Sequence, residues 1–94
     1  MNNYRVFPSS RFKKDYKKFI HRKKHLEAIQ ETILLLSENG HEAIPENKRP
    51  HKLTGNYIGC WECHAMPDLL VIWEQDEDLK EIVLIRVGSH SELF

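Results

Sequence analysis

The sequence lacks any apolar run near the ~18 residues that a membrane-crossing helix needs, and no such run follows Met1. That predicts a cytoplasmic chain with no membrane partner. Cysteine is scarce, only Cys60 and Cys63, and in a reducing compartment such a pair is read as free thiols rather than a disulfide. No repeat, low-complexity tract or linker interrupts the 94 residues. One domain spanning 1–94 is expected, with a modest core at the small end of what folds alone.

Net charge is absent too, but the zero conceals a split. Residues 1–50 carry 11 Lys/Arg against 6 Asp/Glu, and residues 51–94 carry 3 against 8. Most of the positive charge falls in Arg11, Lys13, Lys14, Lys17, Lys18, Arg22, Lys23 and Lys24, opposed locally only by Asp15. A run that dense is either an electrostatic footprint for a polyanion or a solvated helix face.

What is there has a readable order. Asn3 to Phe7 alternates loosely as a first strand, stopped by Pro8. Ser9 or Ser10 can cap the following helix, in which Phe12, Tyr16, Phe19 and Ile20 form one apolar face opposite the lysines. His21 to Lys24 turns the chain. Leu26, Ile29, Ile33 and Leu36, widened by Leu34 and Leu35, mark a second amphipathic helix ended by Asn39-Gly40. Glu27 and Glu31 are placed to pair with lysines of the first helix. His41 to Pro50 reads as a loop. His51–Leu53, Cys60–Met66, Leu69–Glu74 and Lys80–Val87 then read as strands, with turns at Thr54-Gly55-Asn56, Pro67-Asp68 and Gln75–Asp78. The expected fold is α+β: an N-terminal strand and a two-helix hairpin covering one face of an antiparallel sheet of four to five strands, then a short C-terminal turn.

Cys60-Trp61-Glu62-Cys63-His64 matches the C-x-x-C-H pattern of haem attachment. Two observations argue against haem. No export signal precedes the motif, and cysteines three apart on a strand face opposite sides of the sheet. Zinc held by His51, Cys60, Cys63 and His64 meets the same objection and lacks a second Cys/His pair at finger spacing. No cofactor is expected.

The same alternation sets Cys60, Glu62 and His64 on one face, taken here as the face free of helices. His51 before that strand, His64 within it, Asp68 at its exit, and Arg86 and His90 on the final strand and turn would meet at one end of an antiparallel meander. Such a set suits RNA cleavage without a metal ion. Attack by the ribose 2′-OH needs a base, an acid for the departing 5′-oxygen and a fixed cation for the phosphorane. Histidine, with an ordinary pKa of ~6.5, serves either proton transfer near neutrality. Arginine fits phosphate through two parallel hydrogen bonds, and Phe94 offers a ring that can stack on a base.

At these residues the sequence resembles the RelE/ParE toxin superfamily, and within it the YafQ-type mRNA interferases. The resemblance runs through Phe12–Lys18, His51–Tyr57, Glu62–Leu70 and Arg86–Phe94, the last block being the most specific. It implies a RelE-like fold and a ribosome-dependent endoribonuclease toxin that cuts translated mRNA and is held inactive by a cognate antitoxin. Carried over position by position, it makes His51, His64, Asp68, Arg86 and His90 the active site and Phe94 a base-contacting aromatic. His90 would be the general acid and Arg86 the phosphate ligand, while His51, His64 and Asp68 share base and positioning duties. Lys13, Lys14, Lys17 and Lys18 would face ribosomal RNA. Cys60-Trp61 stands where relatives carry Tyr-Arg, so one phosphate contact is missing. The competing expectation is a gyrase-directed ParE-type toxin, or an inert antitoxin-binding module on the same fold.

Overall fold

The computed structural model describes residues 3–94. Five strands form one mixed sheet in the order β1-β5-β4-β3-β2: β1 (Arg5–Pro8), β2 (His51–Lys52), β3 (Trp61–Met66), β4 (Leu69–Asp76) and β5 (Glu81–Gly88). The helices α1 (Ser10–Tyr16) and α2 (Lys23–Asn39) cover one face, and a short α3 (His90–Leu93) follows β5. The architecture is α+β, with two helices packed on a five-strand sheet.

Ser9 is the residue that caps α1, its hydroxyl accepting from the Phe12 N–H at 3.1 Å. The helix is shorter than its apolar spacing suggests. After Tyr16 the chain tightens into a 3-10 turn, Lys17–Phe19, which buries Phe19 and leaves Ile20 exposed. In α2, Ile29, Thr32 and Leu36 are buried and Leu34 is exposed, so the stripe is narrower than its run of leucines implied. Gly40 ends α2 with φ +60°, a conformation that costs glycine little. The expected loop at 41–50 holds two 3-10 turns, Gly40–Ala43 and Glu46–Lys48.

The antiparallel expectation holds from β2 to β5 and fails at β1, which runs parallel to β5 with Arg5 beside Glu81 and Pro8 beside Leu84. Three contacts accompany the direction. Parallel register brings Arg5 to Glu81 in a 2.7 Å ion pair. It also lets the chain beyond Pro8 continue along the same edge of β5: Ser9 Oγ donates to the Ile85 carbonyl (3.0 Å), and Asp15 of α1 accepts the Val87 N–H (3.2 Å). α1 thus takes over the hydrogen-bonding edge where β1 stops.

Between Ile72↔Arg86 and Trp73↔Leu84 the β4–β5 ladder shifts, leaving Ile85 as the extra residue of a bulge. The shift allows Ile82, Leu84 and Val87 all to reach the helix-side core, together with Phe12, Phe19, Ile29, Leu36, Cys63 and Trp73. Ile85 turns the other way, into a smaller cluster of Cys60, Leu70, Ile72 and Leu93 roofed by Leu53 and Tyr57.

Candidate functional site

Cys63 lies in the helix-side core and Cys60 in the opposite cluster, so Glu62 and His64 alternate onto the face away from the helices. Ladder register lines up His51, Glu62, Ile72 and Arg86 across four strands. Two residues nearer the β3–β4 turn, His64, Leu70 and Gly88 form a second row. With strands ~4.8 Å apart, His51 and Arg86 stand ~14 Å apart at their backbones, on opposite flanks of this end of the sheet.

Asp68, in the turn after β3, accepts the main-chain N–H of His90 at 3.2 Å. The first residue of α3 is thereby tied to the β3–β4 turn. A capping box holds the helix itself: Ser89 Oγ accepts from the Glu92 N–H (3.3 Å), and Glu92 Oε1 accepts from the Ser89 N–H (2.8 Å). The Ser89 N–H on the Glu92 carboxylate, with the Ser89 side chain and Lys18 at 3.8 Å, holds that carboxyl below its ordinary range. Lys18 therefore pairs with Glu92. Among the described residues neither Glu27 nor Glu31 forms an ion pair with the lysines of the first helix.

Each imidazole has a different setting. His64 Nδ1 lies 3.2 Å from the Pro67 carbonyl. A carbonyl only accepts, so Nδ1 is the donor of this contact. His51 Nδ1 donates to the Arg49 carbonyl (2.7 Å), while its Nε2 stands 3.3 Å from Glu62 Oε1. Glu62 is buried, and its second oxygen has no hydrogen-bond partner among the described residues. The His90 ring is exposed and lies 5.1 Å from the Phe94 ring, which in turn meets Tyr57 edge-on at 5.4 Å. Phe94 remains half exposed.

Arg86 is not the free cation that its place in the sequence suggested. Its Nε and Nη2 donate to the two carboxylate oxygens of Asp15 at 2.6 and 3.1 Å, with both side chains nearly buried (11% and 6% exposed). Nη1 donates at 3.5 Å to the Tyr57 hydroxyl, which itself donates to the Leu93 carbonyl. The Asp15 hydrogen bond raises the guanidinium further above its ordinary pKa, keeping it charged. Asp15 was legible only as an anomaly: the lone acid in a basic run, three residues after Phe12 and four before Phe19, on the buried stripe. Tyr57 and Glu62 carried no comparable mark.

Lys13, Lys14, Lys17 and Lys18 are exposed. Trp61, on the helix side of the sheet, stacks on His41 at 3.9 Å and lies 6.4 Å from Trp73. Burial pushes the Cys63 thiol up to about 12 and raises Cys60 as well, and both cysteines are free. Among the described residues no group of three or more His, Cys, Asp or Glu comes together as a metal site, and no helix is long and apolar enough to cross a membrane.

The family described as the bacterial toxin of type II toxin-antitoxin systems, YafQ, matches residues 4–94. Among solved structures, YafQ from Escherichia coli strain BL21(DE3) is similar at 25% identity with a TM-score of 0.84, covering 97% of this chain and 98% of that one. The E. coli DinJ–YafQ complex matches at 26% identity and TM-score 0.81, over 97% and 98% of the two chains. A toxin from Helicobacter pylori, solved metal-bound, matches at 28% identity and TM-score 0.78 over the full length of both. No curated protein matches the sequence. The chain belongs to the YafQ family of toxins of bacterial type II toxin-antitoxin systems, built on a RelE-like fold.

Proposed function

We propose that this toxin is an endoribonuclease that cuts mRNA on the translating ribosome by acid–base attack of the ribose 2′-OH, without a metal ion, and that a cognate antitoxin neutralises it. The observation that carries the reading is that one turn engages both histidines: the His64 ring contacts the Pro67 carbonyl, and Asp68 holds the main chain of His90, whose ring is exposed. His64 Nε2 takes the 2′-OH proton as the oxygen attacks phosphorus. His90 returns a proton to the departing 5′-oxygen, leaving a 2′,3′-cyclic phosphate and a free 5′-hydroxyl. Asp68 positions His90 through its main chain. The Arg86 N–H groups not taken by Asp15 meet the phosphorane charge.

His51, held between the Arg49 carbonyl and Glu62, acts in positioning rather than as the base. Phe94 offers its open face to a base. Lys13, Lys14, Lys17 and Lys18 meet ribosomal RNA, so binding falls steeply with salt. Partnership with an antitoxin is supported by the E. coli relative, solved as the DinJ–YafQ complex.

One observation favours the non-catalytic or gyrase-directed alternative: the charge of Arg86 is already matched by Asp15. Induced expression separates the two, since the nuclease halts translation with mRNA cut on ribosomes, and the alternative leaves mRNA intact. His90→Ala should slow cutting by ~10²–10⁴-fold, read by primer extension on ribosome-bound mRNA, while co-purification with the antitoxin persists. Undiminished toxicity of that variant would remove His90 as the acid.

A further inference from the structure

In the row of site residues, the one arginine, Arg86, already meets Asp15, and the His51 ring faces Glu62. A phosphate-bearing ligand needs charge that is not already spent, and the segment before β2 holds some. Lys48 and Arg49 form no ion pair with any described carboxylate.

Their backbone is tightly held. The Lys48 N–H donates to the Pro45 carbonyl and the Arg49 N–H to the Glu46 carbonyl, each at 2.9 Å, and Arg49 adopts φ +54°. The half-buried Lys48 ammonium reaches the Ala65 carbonyl at the end of β3 (3.4 Å). The Arg49 carbonyl receives the His51 ring proton. One short turn therefore delivers two cations and orients a histidine.

Between this turn and the β3–β4 hairpin lies a cavity of about 450 Å³ lined by Asn47, Lys48, Arg49, His64, Met66 and Pro67. No carboxylate lines it. The cavity across the same Met66-Pro67 turn, about 210 Å³, sets Asp68 and Glu92 against Arg22, and a third, beside Gly59, is walled by Glu74, Asp76, Glu77 and Glu81. Of these three hollows, the one at His64 holds two basic side chains and no carboxylate, and it is large enough for a nucleotide.

We infer that Lys48 and Arg49 form a phosphate subsite for the RNA strand, holding the phosphodiester on the 5′ side of the nucleotide whose 2′-OH faces His64. The guanidinium fork and the ammonium are the two donor types that meet a phosphodiester's free oxygens. His64 on the same cavity wall sets the subsite within one nucleotide of the 2′-OH it would face. The assignment of polarity rests on the nuclease reading. The presence of an anion subsite does not.

The test uses the whole protein and three uncleavable 2′-O-methyl dinucleotides: unphosphorylated, 5′-phosphorylated and 3′-phosphorylated. Binding is followed through the His64 and Ala65 amide signals. The 5′-phosphate should tighten binding by about tenfold, the effect of one well-made hydrogen-bonded charge contact, and the 3′-phosphate by less. Lys48→Gln combined with Arg49→Asn, where asparagine tolerates the left-handed backbone, should abolish the gain and leave the unphosphorylated dinucleotide unaffected. A 5′-phosphate gain that survives in the double variant, or that is missing from the unaltered protein, overturns the subsite. An unaltered protein that prefers the 5′-phosphate yet leaves ribosome-bound mRNA whole keeps the subsite and loses the nuclease.

Discussion

On the helix side of the sheet, Trp73, Ile29 and Leu36 lie in continuous apolar packing, while on the other side Leu70 and Ile72 belong to a smaller cluster with Cys60, Leu93, Leu53, Tyr57 and Ile85. The first face spends its residues on burial. The second closes just far enough to exclude water from Leu70 and Ile72, then ends in histidines, carboxylates and a guanidinium. Apolar packing and the candidate site residues are thus segregated by strand alternation, and a nearly buried ion pair joins the two faces. Asp15 reaches from a helix of the first face to hold Arg86 of the second.

Removing a large group from the packed face should give the greatest loss. Trp73→Ala is expected to cost about 3–5 kcal/mol, read as a lowered urea midpoint, and a smaller cost would mean that this face is less tightly built than its burial indicates. The contact joining the faces comes next. Asp15→Ala leaves a nearly buried guanidinium unpaired and a Val87 N–H unsatisfied, a loss on the order of 3 kcal/mol. The double replacement Asp15→Leu with Arg86→Met should regain much of that stability without restoring RNA cutting. Recovery of both would show that Arg86 serves the fold alone.

The smallest effect belongs to the α3 cap. Because the folded Glu92 carboxyl is held below its ordinary range, its contribution is complete above the pKa of an unfolded glutamate, ~4.3. It fades as pH falls through the lowered folded value. Amide exchange at Leu93 and Phe94 should quicken in that acidic window before the core residues respond. Simultaneous loss at Trp73 would contradict the separation of the faces.

Much of the helix side was legible because its signals are local. Phe12, Tyr16 and Phe19, then Ile29 and Leu36, recur at helical spacing, and Gly40 marks the end of α2. The meander was legible from its turns. Where contacts join residues far apart in the chain, periodicity is silent. It did not reveal the direction of β1, the bulge at Ile85 that turns Arg86 toward its row, or the commitment of Arg86 to Asp15. Ile20 and Leu34 look like core by composition but lie past a tightened turn and off the buried stripe, and both are exposed. The histidines could be named from the sequence, but their hydrogen-bonded settings depend on carbonyls of Pro67 and Arg49 that no side-chain pattern reports.

Pairing of β1 with β5 joins Arg5 to Glu81, which has a consequence for biosynthesis. A nascent chain that has emerged only as far as Asp76 contains the residues of its helix hairpin and of β2 to β4 but not those of β5. It offers no neighbouring strand to Arg5–Pro8 and no guanidinium to Asp15. Ring closure over such a distance is slow in chains of this size. For that interval the basic N-terminal third is made but uncommitted, and any activity that depends on Arg86 has not yet begun.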